Sequence, residues 1–381
     1  MKLLKIEIEN FRNLKSQQVE FPNQISVLTG KNGQGKTSLL ESIYILSHSK
    51  SFRTSRPSEL VKWDSADDCL LKAIIESDDG EKELVWRVVS GKREMMVNGT
   101  KVASSSGFYG NLKCVEFTPD DLNLVSGSPG DRRKFFDRLV SQISESYFEN
   151  LLAYHRALKQ RNSLILRGEN SQSVFIPWNE LLVDKGLFVA EQRKKFSSEF
   201  SVFFASNYSY FTGYEENKSA VAGIESAEIR YVSKFLDEEG DIRSKEDLMS
   251  EYSNRLSQDI SRRTSTFGVH RDDYEIFLDT GGGNRQAKKA ASQGQKRSIS
   301  LALKFAAVSL IEKITGDRPV VLLDDVESEL DKFRKQALFG KIAELGGQVM
   351  ITATELSDEN RRNLISPDVF QIEEGLVEKS L

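Results

Sequence analysis

Eight residues near the N-terminus, Gly30-Lys31-Asn32-Gly33-Gln34-Gly35-Lys36-Thr37, follow the spacing G-x-x-x-x-G-K-T. Glycines so placed let backbone N–H groups wrap a chain of phosphates without Cβ collisions, and a helix start behind them adds partial positive charge. Lys36 would bring a full charge to the outer phosphates and the Thr37 hydroxyl would ligate Mg²⁺, so the expected ligand is a nucleoside triphosphate. A second group, Val320-Val321-Leu322-Leu323-Asp324-Asp325, ends an apolar run in two carboxylates. Asp324 is placed to hold Mg²⁺ through water, and Asp325 to orient or polarise an attacking water. About thirty residues earlier, Ser292-Gln293-Gly294-Gln295 opens a helical pattern. Read alone, it is either a helix cap or an anion site built from Ser292 and the N–H groups behind it.

These positions need a strand before the loop and a helix after it. Residues 24–29 supply a short apolar run, and Leu39, Leu40, Ile43 and Leu46 share one face of a helix from Lys36 to about His48. Four apolar residues at 320–323 mark a strand buried on both faces, and 348–352 reads as another. Ahead of the loop, Leu4, Ile6 and Ile8 alternate with charges as in a half-buried strand. A meander follows: Asp79-Gly80 separates two strand-like runs, and Asn98-Gly99 is a two-residue hairpin signal. Pro129-Gly130 opens one long helical stretch from Asp131 to about Arg167, and helical and mixed segments run on to about Arg263. Strand character returns at 274–278, Gly281-Gly282-Gly283 marks a loop, and a striped helix starts near Gln293. Residues 369–377 predict a terminal hairpin around Gly375.

At 381 residues the chain is long enough for two or three structural units. With 39% hydrophobic and 29% charged residues and no run of 18 uncharged apolar ones, it is neither disordered nor membrane-spanning. The N-terminus lacks the apolar core of a signal peptide, and Cys69 and Cys114 offer neither a disulfide framework nor metal spacing. A cytoplasmic protein with no membrane partner is the expectation. The net charge of −4 gives no overall pull on nucleic acid, but the charge is uneven. Between Gly281 and Lys304 there are six bases and no acid, whereas 215–280 holds sixteen acids and nine bases. Such runs are ordinarily solvated faces.

A phosphate loop, an S-x-G-Q element and an apolar-Asp-Asp strand, in that order, resemble ABC-type ATPases. In that family the S-x-G-Q helix start caps the γ-phosphate held by a partner's phosphate loop. The resemblance therefore makes Ser292, Gly294 and Gln295 nucleotide ligands across a dimer, with Gly30 to Thr37 as ligands within one subunit. Pro119-Asp120-Asp121-Leu122, running on to Pro129, Arg132-Arg133 and Phe135-Phe136-Asp137, resembles a signature of the RecF family. Leu322 to Asp325, with Ser328-Glu329-Leu330-Asp331, Arg334 and Leu338, resembles its second signature. Gly268-Val269-His270-Arg271-Asp272-Asp273 resembles its G-P-H-R-D-D element with Val269 in place of proline. Asn10-Phe11-Arg12-Asn13-Leu14 resembles an N-terminal motif shared with SMC-like heads, where a basic residue lies near the nucleotide. Arg12 is thereby a candidate ATP contact, with a surface salt bridge the alternative for it and for Arg53.

The resemblance implies an α/β fold: an ABC-type ATPase head with a mixed β-sheet core, an antiparallel β subdomain and a second, mostly helical lobe. The ATP-binding lobe is expected at 1–117 and 318–381, and the helical lobe carrying S-x-G-Q at 118–317. It implies ATP and Mg²⁺ as cofactors and an ATP-dependent homodimer that closes on double-stranded, gapped or single-stranded DNA. The implied setting is DNA repair, replication and recombination, including the SOS response, with RecR and RecO as partners in loading RecA. Lys36, Asp324 and Asp325 are then the catalytic set and Thr37 with Asp324 the metal set. Lys288, Lys289, Lys296 and Arg297 are the expected DNA contacts, ahead of Lys159 and Arg161, reading backbone and shape rather than bases. Arg132 and Arg133 are left to the nucleotide, the dimer contact or the fold. The chain departs from wider ABC patterns: no glutamine between Asn111 and Ser141, no histidine after His270, and Asp325 where glutamate is usual. Slow, DNA-stimulated hydrolysis acting as a switch is expected, no faster than about 1 s⁻¹. The rival is another SMC-like head with a structural chromosome role, but it requires a long heptad insertion before Ser292, which is absent. An ABC nuclease would need a further acidic metal domain, and a transporter subunit a membrane partner.

Overall fold

The strands Ile25–Thr29 and Val320–Leu323 are buried at every position because both lie inside a six-stranded sheet. Its order is Leu376–Lys379, Asp368–Glu373, Ile25–Thr29, Val349–Ala353, Val320–Leu323 and Cys114–Phe117, parallel throughout except for the terminal hairpin. Val349 pairs with both Ile25 and Val321, so the phosphate loop and Asp324 leave the carboxyl ends of strands separated by one neighbour. That edge is where open α/β sheets bind ligands. This computed structural model describes every residue except 55, 63–67, 214–224, 327–329, 355–363, 365 and 381. Ser328 and Glu329 of the second signature lie outside the described residues.

A second, antiparallel six-stranded sheet runs Gln17–Glu20, Lys2–Glu9, Cys69–Ser77, Gly80–Val89, Lys92–Val97 and Thr100–Lys101. Asn98 and Gly99 turn its last hairpin with φ of +50° and +74°, the left-handed pair that a two-residue turn demands. One detail departs from the simple alternation. The pairing of Lys2–Glu9 with Cys69–Ser77 shifts between Leu3 and Lys5, so Leu3 rather than Leu4 is the wholly buried residue. A bulge adds one residue to one strand and reverses the faces beyond it. The inward faces of this sheet, with Leu39, Leu40, Ile43 and Leu46 of the helix Lys36–His48, form one apolar core.

The chain divides into two compact units, one of Met1–Leu122, Asn207–Ser219 and Arg297–Leu381, the other of Asn123–Ser206 and Ala220–Lys296. The boundary falls inside the helix Gln293–Thr315, so residues 297–317 group with the first unit instead of the helical one. Close to that boundary the ammonium of Lys304, only 2% exposed, donates to the Glu116 carbonyl and pairs with Asp121 at 2.8 Å. Burial pushes the Asp121 carboxyl up to about 6 against the pull of Lys304.

In the second unit, the expected continuous helix from Asp131 to Arg167 is two helices, Pro129–Ile143 and Glu145–Leu166. Ser144 breaks it: extended there (φ −138°, ψ 107°), it caps the following helix by accepting from the Tyr147 N–H. The lobe also holds a sheet, Arg285–Gln286, Asp273–Asp279 and Ser226–Val232. Its third strand was hidden within a mixed segment because only Ala227 and Ile229 turn inward, between Glu228 and Arg230.

The G-V-H-R-D-D element knots this unit together. Arg193, 1% exposed, pairs with Asp137 (2.8 Å) and Asp272 (2.7 Å) and donates to the Val269 carbonyl. Arg132 pairs with Asp273 and Arg133 donates to the Asp272 carbonyl, which assigns both arginines to the fold. Gly268 is irreplaceable there, since at φ +129° a Cβ would lie 2.2 Å from the Tyr154 hydroxyl. Arg161 is wholly buried against Asp259, Asn179 and Ser265, so it cannot meet DNA as the charge pattern suggested.

His270 donates from Nε2 to the Ser265 carbonyl and accepts at Nδ1 from the Tyr154 hydroxyl. Burial, then the cations Arg271, His155 and Arg133, lower its pKa to about 4 despite the Ser265 bond. The unfolded chain therefore binds more protons between pH 6.5 and 4, and this residue's contribution is complete above 6.5 and lost as pH falls. Asp121 works oppositely: its contribution is present below its ordinary 3.8 and lost as pH rises through 6. Comparing wild type with His270→Gln isolates the histidine, and urea midpoints should show wild type losing at most about 3 kcal/mol more over that interval. Parallel pH profiles would remove the histidine from the account.

Candidate nucleotide site

Lys36 begins the helix Lys36–His48, and its Nζ donates back to the carbonyls of Gly30 (2.5 Å) and Lys31 (3.1 Å). Gly30 permits the tight exit from the strand: at φ +146° a Cβ would sit 2.4 Å from the Ile372 carbonyl oxygen. Burial lowers the Lys36 pKa while Asp325 and Asp324 hold it up. Thr37 Oγ1 donates to Asp324 Oδ1 at 2.9 Å, joining the phosphate-loop helix to the acidic strand end. Thr352, from the strand between them, donates to the same oxygen (3.0 Å) and accepts from the Asp325 N–H (2.9 Å). Burial raises the Asp324 pKa, with Asp325 adding to it and the two threonine bonds opposing it. Asp325 itself is left-handed (φ +50°), a strained conformation for a non-glycine residue and one that clusters at functional sites.

A cavity of about 800 Å³ opens over these groups, lined by Lys36, Thr37, Asp324 and Asp325 together with Arg12 and Arg53. Arg12 grips the wholly buried Glu41 carboxylate with two nitrogens, at 3.0 and 2.7 Å, while still lining the cavity. Of the two expectations for Arg12, the ion pair is present, to a buried rather than a surface carboxylate. Of the loop, Asn32, Gly33, Gly35, Lys36 and Thr37 face the cavity. Gly30 and Lys31 instead serve Lys36 with their carbonyls, and Gln34 is held by the N–H groups of Glu374 and Gly375. Nothing lies within 4 Å of a Cβ built on Gly33, which leaves the loop open toward a ligand.

Sequence reasoning passed over Thr352, Glu41 and the bracing role of Asn13, whose Nδ2 donates to the Gly33 carbonyl while its Oδ1 accepts from Ser38. The signal available was Asn13 inside the N-terminal motif. Among the described residues no cluster of three His, Cys, Asp or Glu could hold a metal alone. Thr37 and Asp324 offer the two oxygens that fit Mg²⁺, which takes its remaining ligands from water and phosphates.

The profile described as RecF/RecN/SMC N terminal domain matches residues 2–364. Across 99% of its length the chain is 35% identical to the whole of a protein named DNA replication and repair protein RecF from Geotalea daltonii. It is 34% identical, over 98% of its length, to 99% of a protein of the same name from Oenococcus oeni. The chain belongs to the RecF family. Two solved structures, of "the recombination mediator protein RecF-ATPrS" and "RecF-ATP" in the "RecFOR pathway", match all of it and 98% and 97% of their own chains. Their TM-scores are 0.86 and 0.85 at 30% and 32% identity. An Smc head domain from Pyrococcus furiosus shares the fold, with a TM-score of 0.55 at 17% identity. The architecture is that of the RecF and SMC-head ABC ATPases.

In this RecF-family chain the S-x-G-Q element is an exposed capping box. The Ser292 N–H donates to Gln295 Oε1 (2.8 Å) and the Gln295 N–H donates to Ser292 Oγ (3.2 Å). The helix-cap reading is therefore met. Gln295 Nε2 donates to Glu225, and Gly294 is half-buried. Lys288 and Lys289 stand exposed on the short helix Ala287–Ala290, Lys288 donating to the Gly127 carbonyl. Lys296 and Arg297 are half-buried and fall on opposite sides of the division between units, and Arg297 lines a small cleft with Phe117 and Leu330. No helix among the described residues is long and apolar enough to cross a membrane.

Proposed function

We propose that this chain binds ATP with Mg²⁺ in the Arg12–Lys36–Asp324 cavity and uses it to close a homodimer on DNA. The single observation that carries the reading is the Thr37–Asp324 bond, which brings together beneath the phosphate loop two oxygens of the kind that Mg²⁺ takes. Lys36 would neutralise the outer phosphates, Thr37 and Asp324 would hold the ion, and Asp325 would orient the attacking water. The bound ion would supply charge neutralisation on the phosphates. With aspartate at that last position, hydrolysis is slow and serves as a switch.

The solved relatives, whose titles name ATP and the RecFOR pathway, support the nucleotide and support RecR and RecO as partners in DNA repair and recombination. The exposed Ser292 cap is suited to meet a γ-phosphate held by a second subunit. Lys288 and Lys289, doubled in a dimer, would give a negatively charged protein a positive surface for gapped or double-stranded DNA, with strong salt dependence. Fluorescence anisotropy on gapped duplex DNA tests this: ATP should tighten wild-type binding, and Ser292→Arg should remove the gain while leaving ATP binding intact. Unchanged DNA affinity with ATP in both proteins would leave the ATPase standing and remove the clamp.

A further inference from the structure

The terminal hairpin ends in a turn whose backbone groups serve other segments of the chain. Glu373 pairs with Leu376, which leaves Glu374 and Gly375 as its two central residues, both left-handed (φ +47° and +77°). A two-residue hairpin needs that twist, but Asn, Asp or Gly ordinarily supplies it, and a glutamate held there is strained. The turn admits no added bulk either: a Cβ on Gly375 would lie 2.0 Å from the Asn13 carbonyl oxygen.

Two segments receive those backbone groups. On one side the Glu374 N–H donates to Gln34 Oε1 at 2.5 Å, 340 residues away in the chain. The Gly375 N–H donates to the Gln34 carbonyl at 3.1 Å, so one residue of the phosphate loop is held by both its side chain and its backbone. On the other side the Gly375 carbonyl accepts from the Lys15 N–H (2.9 Å) and from Gln17 Nε2 (2.7 Å). Gln17 Oε1 in turn accepts from the Val377 N–H at 2.8 Å, so its amide grips the hairpin with both ends.

Gln34 lies between Gly33 (φ +82°) and Gly35 (φ +119°), where the phosphate loop has the most backbone freedom to lose. Neither Gln34 nor Gln17 lines the nucleotide cavity, so any effect on a ligand passes through the loop backbone. A loop ordered in advance binds more tightly, because less conformational entropy is lost when the ligand arrives.

We propose that Gln34 and Gln17 are positioning residues that lock the phosphate loop to the Glu374-Gly375 turn and thereby set its affinity for ATP. The proposal rests on the nucleotide reading; Lys36→Ala reports on that reading, whereas the variants below leave every cavity-lining side chain in place.

The test is titration of the full chain with a fluorescent ATP analogue. Gln34→Met keeps the side-chain length and removes the acceptor. It should weaken binding about fivefold while kcat stays within about twofold, the pattern of an interaction made equally in ground and transition states. Gln17→Met should weaken binding about threefold, and the double variant should lose no more than Gln34→Met alone, since both act through one turn. Gln18→Met, exposed on the opposite face of the same strand with its amide on Glu20, should bind as wild type does. Without nucleotide, trypsin should cut after the exposed Lys31 at least about threefold faster in Gln34→Met and Gln17→Met than in wild type. Full ATP affinity in Gln17→Met, losses that multiply in the double variant, or unchanged cleavage after Lys31 would each overturn the proposal. An equal loss in Gln18→Met would reduce the effect to a disturbed edge strand and overturn it too. Thermal melting shows which variants are folded, and if Gln17→Met is not, cleavage of Gln34→Met after Lys31 decides.

Discussion

Replacing Lys36 with alanine should lower ATP turnover by about 10²–10³, the loss seen when one preorganised group facing developing charge is removed. Two roles disappear together. The ammonium is the only loop side chain that both lines the cavity and binds the loop carbonyls of Gly30 and Lys31, so its removal takes away the charge and loosens the loop. Lys36→Arg should not rescue, because a planar guanidinium cannot occupy the point where one ammonium meets two carbonyls. Lys31→Ala is the matched control: its side chain is exposed and outside the cavity lining, and it contributes only a carbonyl that alanine retains. Steady-state phosphate release, with binding of a fluorescent ATP analogue measured in parallel, checks the expectation. Turnover of Lys36→Ala within about threefold of wild type would place the chemistry elsewhere.

The largest stability effect should come from Arg193→Met. This guanidinium is shared by Asp137, Asp272, the Tyr147 hydroxyl and the Val269 carbonyl, and both it and Asp272 are all but wholly buried. Removing one member of a buried pair strands the other charge, at a cost of about 3–5 kcal/mol. Burial already raises the Asp272 pKa, with Arg193 the main force against it. Without Arg193 the carboxyl takes up a proton more readily, so the variant's deficit should shrink as pH falls. Urea unfolding at two pH values reads both effects. A deficit below about 1 kcal/mol, or one independent of pH, would mean that the knot around Asp272 is not what holds the second unit.

Much of this was open to reading in the chain alone. The phosphate loop, the two acids after the apolar run and the S-x-G-Q element are local patterns, and each kind of chemistry fixes its spacing within a few residues. The helix Lys36–His48, the Asn98-Gly99 turn and the strand Val320–Leu323 fell where periodicity and turn residues placed them, because their signals are likewise local. What joins positions far apart could not be read this way. Thr352 bridging Thr37's partner to Asp325, Glu41 fixing Arg12, and Arg193 gathering Asp137 and Asp272 depend on segments the fold brings together. Charge along the sequence misled for Arg161 for the same reason: a cation among basic neighbours looks exposed until Asp259, nearly a hundred residues later, is found against it. Leu3 and Leu4 show the smallest case, where a single bulge decides which of two identical side chains enters the core. Residue type and spacing determine which chemistry is possible, while desolvation and the pairing of distant charges, which exist only in the folded chain, determine which side chains remain available to perform it.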